Sequence, residues 1–262
     1  MNILSKLLKK IRFKKESKEV KIKEIPAHWH ELLLEHVLFY KKLEEQGRLH
    51  FKKRIQFFLS YVTIESVGFE LEDLDVLLVA SSAVIPVFGF DSWKYPNIKK
   101  VIIYPDYFNY DLEFDKNAKD RRIGGMVGNG ALENKMLLSK RALHHGFSNK
   151  TDKGNTGVHE FVHLLDKLDG DIDGVPKALL DNKNLMLWLD LVYDKMEAIH
   201  KDKSDIRDYG GTSEIEFFAV ASEYFFERPM LLKRKHPDLH KMLASCFTPK
   251  ANNSKTSQEI KK

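Results

Sequence analysis

Residues 157–166 contain two histidines four positions apart, His159 and His163, with Glu160 directly after the first. Residues with this spacing lie one above the other on an α-helix, so the two imidazoles can bind one tetrahedral metal ion. Glu160 would project about 100° away from His159, because a helix has 3.6 residues per turn. It then need not bind the metal and can take a proton from a metal-activated water. The pattern therefore indicates a metal-dependent hydrolase.

A third ligand would distinguish such a site from a chance match, and the segment 213–226 offers two carboxylates, Glu216 and Glu223. Both stand among apolar residues such as Phe217, where a carboxylate is costly to bury without a partner. A metal ion would compensate that cost. Two alternatives remain open: Ser213 and Glu216 have the spacing of a helix capping box, and Glu223 could form a buried salt bridge or contact a ligand histidine from behind.

Two longer blocks are far more specific than the five-residue pattern. The first covers residues 159–176 and ends in Asp-Gly-Val-Pro, and the second covers residues 216–226 and follows Tyr209. Together they resemble the Mlc titration factor A family, which consists of bacterial cytosolic zinc metallopeptidases of the gluzincin type. The catalytic core of that family is similar to that of anthrax lethal factor. The resemblance extends over residues 26–249.

The resemblance implies that His159, His163 and Glu216 bind one zinc ion and that Glu160 is the general base. Tyr209, seven residues before Glu216, matches the family tyrosine whose hydroxyl points at the active site. A phenol in that place could stabilise a developing oxyanion. Without the resemblance, Tyr209 would be interpreted as an ordinary loop residue.

The activity that the resemblance implies is hydrolysis of peptide bonds in a peptide or protein substrate, in the cytoplasm. The family name leaves a second hypothesis open. In it, the chain is a regulatory protein that binds a transcriptional repressor, and hydrolysis is weak or incidental. Nothing in the sequence identifies such a partner.

Other polar residues near these blocks have more ordinary interpretations. Asp166 and Asp169 are expected to orient neighbours or to bind backbone in the turn at Gly170, rather than to coordinate metal. His236 and His240 share the four-residue spacing, but a proline follows the first of them in place of a glutamate. A second metal site is therefore not expected there.

The elements that position these residues are predicted from hydrophobic periodicity. Helical spacing covers five segments: residues 26–69, 74–87, 154–168, 179–199 and 213–226. Three short segments are rich in strand-forming residues: 101–104, 123–127 and 135–139. Grouped helices with a small sheet favour an α+β fold, and the resemblance makes it a mostly helical zincin-like domain with a small mixed sheet beside the metal-binding helix. Residues 136–139 could pair with an extended substrate if they form an edge strand, or lie inside the sheet.

Composition excludes several classes of protein. The chain has 262 residues, of which 43% are hydrophobic and 11% aromatic, enough to build a sizeable core. Its one cysteine, Cys246, has no partner for an intramolecular disulfide. A disordered chain and a disulfide framework are therefore both excluded, and a reducing compartment such as the cytoplasm is indicated.

The net charge of +5 is concentrated at the two ends of the chain. Residues 1–25 hold nine Lys or Arg against three Glu, and residues 250–262 hold four Lys against one Glu. The segment 26–249 is left mildly acidic, so direct binding of nucleic acid is not expected. We predict a basic N-terminal segment at 1–25, one metallopeptidase domain at 26–249 and a flexible Lys-rich tail. The N-terminal segment could touch an anionic membrane surface, although an ordinary amphipathic helix is favoured.

Overall fold

The computed structural model describes residues 25–90, 92–115, 117–149 and 152–248. The predicted basic segment, except residue 25, and the predicted Lys-rich tail lie outside these ranges, so the predicted domain boundaries stay predictions. Among the described residues, no helix has both the length and the apolar character that a membrane span requires.

Helices make up most of the described residues. The α-helices in this part of the chain are α1 (Trp29–His36), α2 (Leu38–Lys42), α3 (Glu45–Leu59), α4 (Asp73–Val84), α5 (Lys140–Ser148), α6 (Thr156–Asp166), α7 (Asn182–His200), α8 (Glu214–Glu227), α9 (Pro229–Lys235) and α10 (Pro237–Phe247). The strands are β1 (Thr63–Ser66), β2 (Lys100–Tyr104), β3 (Gly125–Val127) and β4 (Lys135–Ser139). This content confirms the predicted, mostly helical α+β fold.

The strands form one mixed sheet in the order β1-β2-β4-β3. Strand β2 is parallel to both β1 and β4, whereas β3 is antiparallel to β4, with Met126 opposite Leu137. Strand β4 therefore lies inside the sheet, and of the two alternatives for residues 136–139 the interior one is correct. The edge nearest the predicted metal helix is β3.

Residues 63–66 depart from the helix predicted over 26–69. They form β1, in which Ile64 pairs with Val101 of β2. Helix α3 ends at Leu59, and the next residues include the β-branched Val62, Thr63 and Ile64, which fit a pleated surface better than a helix. Pairing with a strand far away in the chain decides the outcome, and local periodicity does not show it.

Helix α6 lies at the centre of the core, where every residue from Gly157 to Asp166 is buried. The fully buried ring of Phe161 packs against the rings of Phe58 and Tyr95, with centroid separations of 5.6 and 5.3 Å. Burial of one such side chain stabilises the fold by about 1.5–3 kcal/mol. Because its neighbours surround it, α6 is a rigid platform for the polar side chains that it carries.

Candidate metal centre

Helix α6 presents both histidines of the predicted site on one face. Its first turn is capped by Asn155, whose side chain accepts a hydrogen bond from Val158 N over 3.1 Å. One turn apart, His159 and His163 point their Nε2 atoms at a common place, with the two nitrogens 3.0 Å apart. Each residue is 7% exposed. The predicted juxtaposition of the two imidazoles is therefore present.

Helix α8 brings the predicted third ligand to the same place. Ser213 caps the helix by accepting a hydrogen bond from Glu216 N over 3.2 Å. The Glu216 carboxylate faces the histidines: its Oε2 lies 3.0 Å from His159 Nε2 and 3.7 Å from His163 Nε2. The capping interpretation thus holds for the Ser213 side chain, while the Glu216 side chain belongs to the histidine cluster.

The three atoms have the spacing that a single metal ion requires. They are His159 Nε2, His163 Nε2 and Glu216 Oε2, separated by 3.0, 3.0 and 3.7 Å. Ligands about 2.0–2.1 Å from a tetrahedral zinc lie about 3.3 Å from one another. Among the described residues, no other set of three His, Cys, Asp or Glu residues is close enough to share an ion.

The electrostatics of the cluster also favour a cation. Burial alone would lower the pKa of His159, but the carboxylates of Glu223 and Glu216 raise it to about 10. Burial likewise opposes ionisation of Glu216, whereas hydrogen bonds with His159 and His163 lower its pKa below the usual range. The residues present therefore fit a divalent metal ion with two nitrogen ligands and one oxygen ligand.

Glu160 lies beside this cluster and is 5% exposed. Burial raises the pKa of its carboxyl above the ordinary value, and the opposing influence of His159 and His163 does not cancel that effect. A raised pKa moves a carboxylate toward the range in which a general base works at neutral pH. Gly125 of β3 lies directly against the Glu160 side chain.

Tyr209 lies on a short 3₁₀ turn (Asp208–Gly211) between α7 and α8. Its ring centroid is 6.0 Å from that of His159, and the residue is 52% exposed. Burial of the hydroxyl and the neighbouring Glu216 carboxylate raise the pKa of the phenol, which therefore stays protonated. Tyr209 thus lies beside His159 at a partly exposed position.

Glu223 combines both interpretations that the sequence left open for it. The residue is 1% exposed, and its Oε1 lies 2.7 Å from His159 Nδ1. The same oxygen accepts a hydrogen bond from Arg207, and Oε2 accepts one from Asn155 N. The sequence pattern indicated Glu223, but neither Arg207 nor Asn155 carried a signal that connected it with the site.

The remaining polar candidates make other contacts and do not join the group of three potential metal ligands. Asp166 accepts a hydrogen bond from Gly174 N over 2.8 Å, and burial raises its pKa to about 6. Asp169 Oδ2 lies 3.9 Å from Lys177 Nζ. His236 Nε2 lies 2.7 Å from Asp205. Asp166 therefore binds backbone, as expected, but at Gly174 and not in the turn at Gly170.

His240 does not join His236 in a metal site. The His240 ring packs against Phe225, with their centroids 5.2 Å apart. Within the described residues, the two histidines belong to no set of three potential ligands that could share an ion.

Comparison with known proteins assigns the chain to a class and then to a family. The class is that of metallopeptidases, because residues 10–248 match the model of a metallopeptidase family. That family is the glucose-regulated metallo-peptidase family M90, and the chain belongs to it.

Curated relatives agree with this assignment. An uncharacterized protein of Synechocystis sp. is 27% identical over 245 residues, which cover 87% of this chain and 86% of the relative. Mlc titration factor A of Enterobacter sp. is 27% identical, with 80% of this chain and 82% of the relative covered. Mlc titration factor A of Pectobacterium atrosepticum is 26% identical, with 68% of each chain covered. The family resemblance seen in the sequence is thereby confirmed.

Proposed function

We propose that this protein is a cytoplasmic zinc-dependent peptidase. His159, His163 and Glu216 hold one zinc ion, Glu160 is the general base and Tyr209 is a hydrogen-bond donor to the reacting carbonyl. The observation that carries the proposal is the convergence of the three ligand atoms within 3.7 Å of one another, next to a buried glutamate. When bound, zinc acts as a Lewis acid and lowers the pKa of water to about 7.

Glu160 accepts the proton of the attacking water. Its carboxylate is buried beside the ligand cluster and has a raised pKa, so it is a stronger base than an exposed glutamate. Once the tetrahedral carbon has formed, the protonated Glu160 can donate the same proton to the departing amine. Glu160 thereby performs the two proton transfers that peptide hydrolysis requires.

Tyr209 stabilises the negative charge that develops on the carbonyl oxygen. Its phenol is protonated because its pKa is raised. A hydrogen bond from such a donor is stronger in the transition state than in the ground state, so it accelerates the chemical step.

The open side of β3 supports an extended peptide as the substrate. Gly124 O and Gly128 N bond to β4, so by alternation the backbone groups of Gly125 and Val127 point away from β4. On that outer side, Phe108 already forms a two-way backbone bridge with Ile123. A peptide that continued this pairing along Gly125 and Val127 would pass next to Glu160.

Incubation of the zinc-loaded protein with a peptide library, followed by mass spectrometry, tests the proposal. Wild type should cleave peptides, and Glu160→Gln should not, although it still binds zinc. Cleavage by Glu160→Gln at the wild-type rate would contradict the role of the general base. Absence of any cleavage by zinc-loaded wild type would contradict the peptidase.

The names of the curated relatives favour a second candidate function. Two of the three relatives described above are called Mlc titration factor A, a name that points to an interaction with a regulator, Mlc. In this alternative, the chain sequesters a transcriptional regulator and hydrolysis is incidental. A pull-down of candidate regulators with wild type and Glu160→Gln distinguishes the two, because binding should not need the general base. Equal capture without any peptide cleavage would favour the regulatory protein.

A further inference from the structure

The connection between α7 and α8 carries Tyr209, and we call residues 203–212 of it the tyrosine segment. Apart from one 3₁₀ turn, the segment has no helix or strand to fix its course. At its C-terminal end, Gly211 O accepts a hydrogen bond from His200 Nε2 over 2.7 Å. The position of the Tyr209 phenol therefore depends on the contacts that this segment makes with neighbouring elements.

Asp205 anchors the N-terminal half of the tyrosine segment. Its carboxylate accepts hydrogen bonds from Lys153 over 2.7 Å, from the Tyr224 hydroxyl over 2.8 Å and from His236 over 2.7 Å. These partners come from the loop before α6, from α8 and from the start of α10, respectively. These hydrogen bonds hold the tyrosine segment against neighbouring elements, but none of them involves His159, His163 or Glu216.

Arg207 makes the connection to the cluster, two residues before Tyr209. Its guanidinium donates to Glu223 Oε1, the same oxygen that lies 2.7 Å from His159 Nδ1. The other oxygen of Glu223 accepts from Asn155 N, at the cap of α6. One buried carboxylate thus joins the tyrosine segment to a ligand histidine and to the start of the helix that carries it.

The charge of the buried Glu223 carboxylate explains the role of a cation at position 207. A histidine that binds a metal is neutral and offers Glu223 only an N–H dipole. Among the contacts of Glu223 in the described part of the chain, Arg207 then supplies the full positive charge. The Arg207 side chain is 39% exposed, whereas that of Glu223 is 2% exposed, so the carboxylate alone is buried. Leaving a buried carboxylate without its cationic partner is destabilising. Without Arg207, Glu223 is expected to change its position, and His159 and the tyrosine segment would change theirs with it.

We propose that Arg207 is a positioning residue, which holds His159 through Glu223 and holds Tyr209 through the backbone of the tyrosine segment. This inference rests on the proposed function, because it gives Arg207 a role in the same site. Arg207 touches neither the substrate nor the metal in this account. Its effect is to fix the position of the His159 imidazole relative to the Tyr209 phenol.

Arg207→Gln tests the inference by two measurements, the zinc dissociation constant from chelator competition and the kinetic constants for a cleaved peptide. We expect about tenfold weaker zinc binding, the lower end of the usual loss on removing an outer partner of a ligand. We also expect a lower kcat with little change in KM, because the β3 edge is untouched. Combined with Tyr209→Phe, the two losses in kcat should give less than their product, since both act through one phenol.

Two further variants serve as comparison and control. Arg207→Lys keeps the charge but loses the planar fork, so its zinc binding and kcat should be intermediate. If Arg207→Gln does not fold, the same measurements on Arg207→Lys decide. Lys201→Gln removes a cation from the exposed pair with Glu197, whose charged atoms lie 2.6 Å apart, and should leave every constant at its wild-type value.

Two results would overturn the inference. One is wild-type zinc affinity in a folded Arg207 variant, and the other is a double variant with Tyr209→Phe whose loss in kcat equals the full product of the two single losses. Failure of the proposed function looks different, because wild type itself would then bind no zinc or cleave no peptide. If wild type binds zinc without cleaving peptides, the zinc affinities alone decide the role of Arg207.

Discussion

Gly125 of β3 and Glu160 of α6 are in direct contact, and the contact leaves no room for a side chain. A methyl group on Gly125 would lie 2.6 Å from Glu160 Oε1 and 2.6 Å from Glu160 Cγ. Non-bonded carbon atoms do not approach other atoms so closely, so the Glu160 side chain or strand β3 would have to move. The strand that is proposed to bind substrate thus also confines the proposed general base.

Gly125→Ala should therefore displace the Glu160 carboxylate without touching the ligand atoms. We expect kcat to fall at least about tenfold, because a misplacement of 1 Å can cost about 100-fold, while zinc content stays at the wild-type level. Gly47→Ala, at a position in α3 where a methyl group would lie 3.2 Å from Leu43 Cβ, serves as the control. Unchanged kcat in Gly125→Ala would show that this contact does not position the base.

Much of the candidate site could be predicted from the sequence, because its proposed metal ligands follow local rules. The spacing of His159 and His163 is a property of one helix, and Glu216 stood out as a carboxylate in an apolar segment. The contacts of Gly125 and Arg207 could not be predicted, since they join elements that are distant in the chain. Strand β1 was missed for the same reason, because its partner strand comes more than thirty residues later.

Tyr209→Phe tests the phenol as a donor to the carbonyl oxygen. Removal of one such donor typically lowers kcat by about 100-fold or more, and KM and zinc content should change little. Tyr193→Phe, which removes a hydroxyl from an exposed position on α7, is the matched control. Equal kcat in wild type and Tyr209→Phe would remove the phenol from the mechanism.

Glu227, at the end of α8, should make stability depend on pH. Burial raises the pKa of its carboxyl to about 7 from an ordinary value of 4.5, and the hydrogen bond from Asn155 only partly opposes this. Between these two values the folded state binds more protons than the unfolded state, so stability falls as the pH rises through this window.

Glu227→Gln removes this ionisation and can keep the hydrogen bond with Asn155, which has a length of 3.0 Å in wild type. At pH 8, denaturant unfolding should give the variant a higher free energy of unfolding than wild type, by at most roughly 3 kcal/mol. The difference should be smaller at pH 4. Glu70→Gln, at an exposed position, is the control. A variant less stable than wild type at pH 8 would contradict the expected sign.

Metal stoichiometry tests whether His159, His163 and Glu216 hold one divalent ion. Purified protein is equilibrated with zinc, dialysed and analysed by elemental mass spectrometry. Wild type and Glu160→Gln should each retain one zinc per chain, whereas His163→Ala and Glu216→Ala should retain little. A wild type that retains no zinc, or a His163→Ala variant that retains as much as wild type, would contradict the account.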